Sequence, residues 1–247
     1  MSFGYGKHNV LKDISFHAEG GELLAVLGAN GAGKSTLFRC IMGLLPCRSG
    51  EILLEGGDVR ALQPRERAAR MAYIPQQSRA VFGYSVLEMV LMGTTHSLSP
   101  MEMPGRAQLE AAMAALDTVG MAQLARREYR RLSGGEQQLT LIARALAQQS
   151  PVLVMDEPTA NLDYGNQMLM LNHARRLAKA GHTVLVSTHH PQHALSFSNR
   201  VLALKAGGVA AFGDTGETLT PGLIRALYGI ETDFMKSGQG TVIVPHG

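Results

Sequence analysis

Residues 23–27, Leu-Leu-Ala-Val-Leu, run straight into Gly28-Ala29-Asn30-Gly31-Ala32-Gly33-Lys34-Ser35-Thr36, and an apolar stripe at helical spacing follows over 34–42. A short apolar run, a glycine-rich loop and an amphipathic helix make a strand–loop–helix unit whose backbone N–H groups can coil around a phosphate. The glycines let the chain turn tightly, and the positive end of the helix adds its field around an anion. Lys34 supplies a mobile charge for β and γ phosphates, and Ser35 offers a hydroxyl ligand to Mg²⁺. A glycine turn that merely caps a helix is the alternative. The full pattern, set between strand and helix, outweighs it.

That unit predicts its surroundings. Apolar runs at 152–155, 183–187 and 201–204 are short enough for buried parallel strands, and helical stretches at 137–148 and 165–180 alternate with them, as in an α/β layer fold. Residues 10–16 and 51–55, set off by Glu19-Gly20-Gly21 and Gly56-Gly57, are expected as antiparallel strands beside the parallel core. From 85 to 131 the pattern is helical apart from a loop at 97–105, which predicts a helical insertion bounded near Gln77 and Leu132. A chain that is 45% hydrophobic and 17% charged is neither disordered nor collagenous. It has no apolar run of membrane length and no signal-peptide pattern in its first six residues, so a cytoplasmic location is expected. Cys40 and Cys47 lack a CxxC or histidine partner pattern and are expected as reduced thiols, and a net charge of +3 selects no nucleic acid.

The 152–155 run ends in Asp156-Glu157-Pro158, where parallel α/β sheets present ligands. Successive side chains on a strand diverge, so Asp156 can hold the magnesium shell while Glu157 reaches a water in line with the γ phosphate. Alone, such a pair is ordinarily a solvated strand end. Upstream, Leu132-Ser133-Gly134-Gly135-Glu136-Gln137 opens a helix on which Leu139, Ile142, Ala143 and Leu146 share a face. Ser133 and Glu136 make a capping box, which suffices to explain Ser-x-x-Glu there. The double glycine nevertheless leaves the helix N-terminus uncovered for a second phosphate. Ser133 lies far from Lys34 in sequence, beyond a separate helical segment, so a second copy of the chain is expected to bring the two together.

In this ordered set the chain resembles the ATP-binding cassette (ABC) ATPases, the nucleotide-binding subunits of ABC transporters. The resemblance runs through the phosphate loop, Gln76, 132–137, 152–158, Asn161-Leu162-Asp163 and His189, nearly the whole sequence. It implies an α/β P-loop NTPase fold of RecA-like kind, with a parallel-sheet core, an antiparallel β flank and a helical insertion subdomain. One nucleotide-binding domain would span 1–247, with catalytic core 1–77 and 132–247 and helical subdomain about 78–131. The implied ligands are ATP and Mg²⁺. For the nucleotide the resemblance implies Tyr5 stacked on adenine, Gly28, Asn30, Gly31, Ala32, Gly33, Lys34, Ser35 and Thr36, with Ser133, Gly134, Gly135, Glu136 and Asp163. It gives catalytic roles to Glu157, His189 and Gln76, and metal roles to Ser35, Gln76 and Asp156, the last through water. Gln76 would also hinge the insertion.

Three positions depart from the family pattern. Only four residues precede Tyr5 where a full strand is usual, Glu136 replaces a commoner glutamine, and Asn161-Leu162-Asp163 replaces Ser-Ala-Leu-Asp. His189 is assigned over its neighbour His190 because it directly follows the segment Ser187-Thr188.

The resemblance further implies a homodimer in the ATP-bound state, integral-membrane permease subunits, indirectly a substrate-binding protein, and a place on the cytoplasmic face of the inner membrane. Residues 82–90, apolar and aromatic just beyond Gln76, are expected as an exposed partner surface carrying Tyr84, Val86 and Leu87. Residues 83–93 with Thr220-Pro221-Gly222-Leu223-Ile224 and Leu227-Tyr228-Gly229 resemble importers for iron-siderophore, haem, vitamin B12 or molybdate, which implies metal-chelate import. The alternatives are an exporter ATPase and a non-transport ABC ATPase acting on ribosomes or DNA. Thirteen methionines, Met89, Met92, Met101 and Met103 among them, read as apolar filler rather than metal ligands, and Arg126, Arg127, Arg130 and Arg131 as a solvated helix end.

Overall fold

The computed structural model describes residues 1–76, 83–99, 101–160, 162–238 and 240–246; Gln77, Phe82 and Asn161 of the expected motifs lie outside them. The chain divides into two compact units, Met1–Ala61 with Ala174–Gly247, and Leu62–His173.

In the first unit four strands lie in the order Gly208–Asp214, Arg200–Lys205, Leu23–Leu27, Thr183–Thr188. Leu23–Leu27 is buried at every position, as a strand covered on both faces must be, and pairs parallel with both neighbours. Leu27 stands opposite Thr188, so the phosphate loop and the His189 segment leave adjacent strand ends together. Beneath them Leu27, Val201, Ala203, Ala194 and Ile224 form a core cluster, with Phe234 and Ile243 of the hairpin Thr232–Ser237/Gly240–Pro245 packed against it. Each large aliphatic side chain buried there contributes about 1.5–3 kcal/mol.

The flanking strands are shorter than expected. Of residues 10–16 only Val10 and Leu11 are in a strand, His8–Leu11, paired antiparallel with Phe3–Tyr5, because Asp13 takes a left-handed φ of 48° that breaks an extended run. Residues 51–55 supply Leu53–Leu54, joined to Gly57–Asp58 by Glu55 and Gly56 at φ 51° and 82°. Two consecutive positive φ values mark the tight hairpin turn whose twist suits antiparallel strands.

In the second unit Met71–Ile74 runs parallel to Val152–Met155. The helices Val86–Leu91, Arg106–Thr118 and Gly134–Ala147 pack on one another, Arg106–Thr118 burying Ala112, Ala115 and Leu116 at i, i+3, i+4 spacing. One expectation needs correction. Val86 is wholly buried rather than exposed: Ser85 and Glu88 form a capping box that starts a helix at Val86 and turns it inward, leaving Tyr84 and Leu87 half-buried. On Gly134–Ala147 the buried set is Gly135, Gln138, Thr140, Leu141, Ile142, Ala143, Ala145 and Ala147; of the four residues expected on one face, Ile142 and Ala143 are buried and Leu139 and Leu146 half-buried. No helix among the described residues is long and apolar enough to cross a membrane.

Candidate functional site

The phosphate loop closes on the helix Lys34–Ile41, whose N-cap Gly33 stands at φ 102° and offers no side-chain cap. That φ favours glycine, and a Cβ there would also lie 2.8 Å from Leu11 Cδ2. The first helical turn carries no acid, so its N–H groups face outward with nothing negative of their own beside them. Lys34 is 4% exposed, and its ammonium donates to the carbonyls of Gly28 at 2.8 Å and Ala29 at 3.2 Å. Asn30 and Gly31 are exposed, Ala32 is buried, and Ser35 and Thr36 are half-buried in the first turn. The Gly28 amide donates to the Thr188 carbonyl at 3.3 Å, which ties the loop to the His189 segment.

His189 is half-buried and its ring lies 4.1 Å from that of exposed His190, which serves as N-cap of the helix Pro191–Phe197. His193 continues the stack at 4.8 Å from His190. Burial, with the nearby His190 and His189, pushes the His193 pKa down to about 4. Tyr5 is 51% exposed and meets Phe3 edge-on at 4.9 Å. Although only four residues precede it, Tyr5 ends a real strand, and Arg48 secures the hairpin by donating to Asn9 Oδ1 at 3.0 Å and to the Gly6 carbonyl.

In the second unit the acids have different surroundings. Asp156 is 3% exposed; its amide donates to the Ile74 carbonyl at 2.8 Å, and its carboxylate accepts from the Tyr73 hydroxyl at 3.2 Å. Glu157 is half-buried with φ 44°, a conformation sparsely used by non-glycine residues, and accepts from Gln76 Nε2 at 3.3 Å. Gln76 and Glu157 are thus brought together. The Asp156 carboxylate in this unit and the Ser35 hydroxyl in the first are each, taken separately, hard oxygen donors of the kind Mg²⁺ takes.

The second helix begins with a capping box. Ser133 donates from its amide at 2.8 Å and its hydroxyl at 2.9 Å to Glu136 Oε2, and accepts from the Glu136 amide at 3.3 Å. These Ser133 bonds, with a further contribution from Arg127, hold the Glu136 carboxyl below its usual range. Ser133 and Gly134 are exposed. Gly135 is buried and a Cβ there would lie 2.8 Å from Asn166 Cγ, and Asn166 in turn donates to Asp163 at 2.7 Å from its side chain and 2.9 Å from its amide. Asn166 and Tyr73 are contacts that motif reading missed. Asp163 just ahead of the helix Tyr164–Lys179, with Asn166 in its first turn, carried a visible capping signal; Tyr73 carried none beyond its strand position.

A family model described as ABC transporter matches residues 11–160. The hemin import ATP-binding protein of Myxococcus xanthus is 39% identical, covering 98% of this chain and 93% of its own length. The manganese transport system ATP-binding protein of Bacillus subtilis is 36% identical, covering 96% and 93%. Among solved structures, an inward-facing conformation of a metal-chelate type ABC transporter superposes with a TM-score of 0.87 at 33% identity, over 99% of this chain and 94% of that one.

Proposed function

The chain belongs to the ABC transporter family and is an ATP-hydrolysing, ATP-binding subunit with the P-loop NTPase fold; from that premise we propose that it powers import of a metal chelate through a separate membrane permease. The whole-length likeness to a metal-chelate type transporter carries the import reading. The hemin import relative supports it, and the manganese relative makes a bare divalent cation the second reading.

In this reading 1–247 is one nucleotide-binding domain, with 78–131 as helical subdomain. Tyr5 stacks on adenine, and the 28–36 backbone with Lys34 holds the phosphates of the chain's own ATP. Ser35 and Asp156, the latter through water, hold Mg²⁺, which when bound offsets phosphate charge; Gln76 contributes there and turns with the insertion. Glu157 accepts the proton of the attacking water, and the bond from Gln76 orients its carboxylate. His189 steadies the γ phosphate. Ser133, Gly134 and Gly135 receive the γ phosphate of a second copy, so that two ATP molecules join a homodimer, while Asp163 anchors the segment behind Gly135. The subunit works on the cytoplasmic face of the inner membrane against permease subunits, which a substrate-binding protein supplies.

The test is reconstitution. The subunit, copurified with its membrane permease, is placed in proteoliposomes and supplied with ATP and either hemin, a ferric siderophore or Mn²⁺. ATP-dependent uptake of a chelate supports the proposal. Uptake of Mn²⁺ alone selects the second reading, and efflux instead of uptake overturns import.

A further inference from the structure

The helix Pro191–Phe197 follows His189 almost at once, with His190 as its N-cap and proline at its first position. At 7 residues it is too short to hold itself in water, so its orientation comes from what it packs on. One partner is the hairpin Thr232–Ser237/Gly240–Pro245. Gln192, in the first helical turn, accepts from the Ile243 amide at 2.8 Å and donates to the Thr241 carbonyl at 3.1 Å and the Ser196 hydroxyl at 2.9 Å. Thr241 and Ile243, two apart on one strand, turn their backbone groups to the same edge, where a further strand would pair. The Gln192 amide fills the place of that strand's peptide group, and both its donor and its acceptor are used.

The same turn of helix supports His189. The His190 amide donates to Thr188 Oγ1 at 3.0 Å, and the His190 carbonyl accepts from the amides of His193 and Ala194 at 3.1 and 3.3 Å. The His189, His190 and His193 rings stack in that order, 4.1 and 4.8 Å apart, so the first leans on the N-cap and the N-cap leans on the helix. Ala194 lies in the core cluster on which Phe234 and Ile243 pack. We propose that Gln192 is a positioning residue for hydrolysis, clamping Pro191–Phe197 to the hairpin so that the stacked rings hold His189 where the γ phosphate arrives. The inference rests on the reading above that His189 steadies that phosphate. The hairpin thereby gains a part in turnover without supplying a group to the nucleotide.

Only an amide serves in the clamp. Glutamate loses the donor and faces the Thr241 carbonyl, and methionine keeps the length but loses both bonds. Gln192→Met, Gln192→Glu and a control, Thr220→Ala, are compared in the full-length subunit assembled with its permease. Thr220 accepts from the Leu223 amide at 3.2 Å and caps Pro221–Tyr228 in the same unit, so its loss lowers the melting temperature and leaves the clamp alone. Both Gln192 variants should lower kcat by roughly threefold to thirtyfold, the scale of a displaced group at the reacting centre. Their KM for ATP should stay within about twofold of the parent, since the 28–36 loop is untouched. Thr220→Ala should keep the parent kcat. In a His189→Ala background, where residual hydrolysis is followed with labelled ATP, Gln192→Met should cost nothing further, because the residue it positions is gone. A parent kcat for Gln192→Met, a raised KM in place of a lowered kcat, or an equal fall for Thr220→Ala overturns the positioning role. So does an undiminished further loss in the His189→Ala background, which would route Gln192 through another group. Parent turnover by His189→Ala alone contradicts the His189 reading itself and takes the clamp's role with it.

Discussion

The helix that starts at Lys34 and the helix that starts at Gly134 solve opposite problems with the same physics. Both end in four N–H groups without partners inside the helix, and both lie behind glycines. The first is uncapped and has a lysine folded onto its loop carbonyls, so the positive charge is stored beside the place an anion takes. The second is capped by its own carboxylate and is stable without a ligand. In the proposed function the uncapped end takes the chain's own nucleotide, and the capped end makes the second contact conditional on two loaded copies meeting.

The largest effect expected spares both helix ends. Glu157→Gln keeps size and hydrogen bonding but removes the base, so hydrolysis in single-turnover assays should fall by about 10²- to 10⁴-fold while ATP still binds. Parent turnover would mean that the proton goes elsewhere. Next, Lys34→Ala should weaken ATP binding by about 10- to 100-fold without unfolding the chain, because the loop conformation is set by its glycines; calorimetry reads this, and unchanged affinity refutes the open-end role. At the closed end, Gly135→Ala drives a Cβ into Asn166 and should destabilise the protein by about 1–3 kcal/mol in urea unfolding. Adding Asn166→Ala should recover most of that loss, and no recovery would mean the glycine is required for another reason.

The smallest effect is set by pH beside the open end. Burial lowers the His193 pKa from 6.5 to about 4, so between those values the unfolded chain binds the proton more readily. Stability from this group is full above pH 6.5 and is lost as pH falls towards 4. Screened for its partial exposure, the loss should be on the order of 1 kcal/mol. His193→Gln should flatten that part of the stability–pH curve, and an unaltered slope would assign it to other groups.

The parallel core was legible because its strands are uninterrupted apolar runs stopped by Gly28 and Asp156, and both predicted bounds match, 23–27 and 152–155. The flanking strands were overextended because nothing in the residue types announced that Asp13 and Glu55 would take positive φ. Val86 was misplaced through a signal that was present: Ser85-x-x-Glu88 starts a helix, and helical geometry, not hydrophobicity, decides which of three adjacent side chains turns inward. At the site, residue types and their order named the candidate parts. The closure of Ser133 by Glu136 was legible as a capping box, whereas the packing of Asn166 on Gly135 joins residues distant in sequence and needed coordinates.

In the proposed function each ATP is shared between the uncapped end of one copy and the capped end of another, and mixing two damaged chains tests this sharing. In the Glu157→Gln background, one protein carries Lys34→Ala and the other Ser133→Arg, whose bulk blocks the approach of a phosphate to the second helix. Neither should dimerise with ATP alone. Mixed, they bring together the intact phosphate loop of one and the intact Ser133 of the other, rebuilding one complete site, so sedimentation should show an ATP-dependent dimer in the mixture only. No dimer in the mixture, or a full ATP-driven dimer of the Ser133→Arg protein alone, contradicts the shared site.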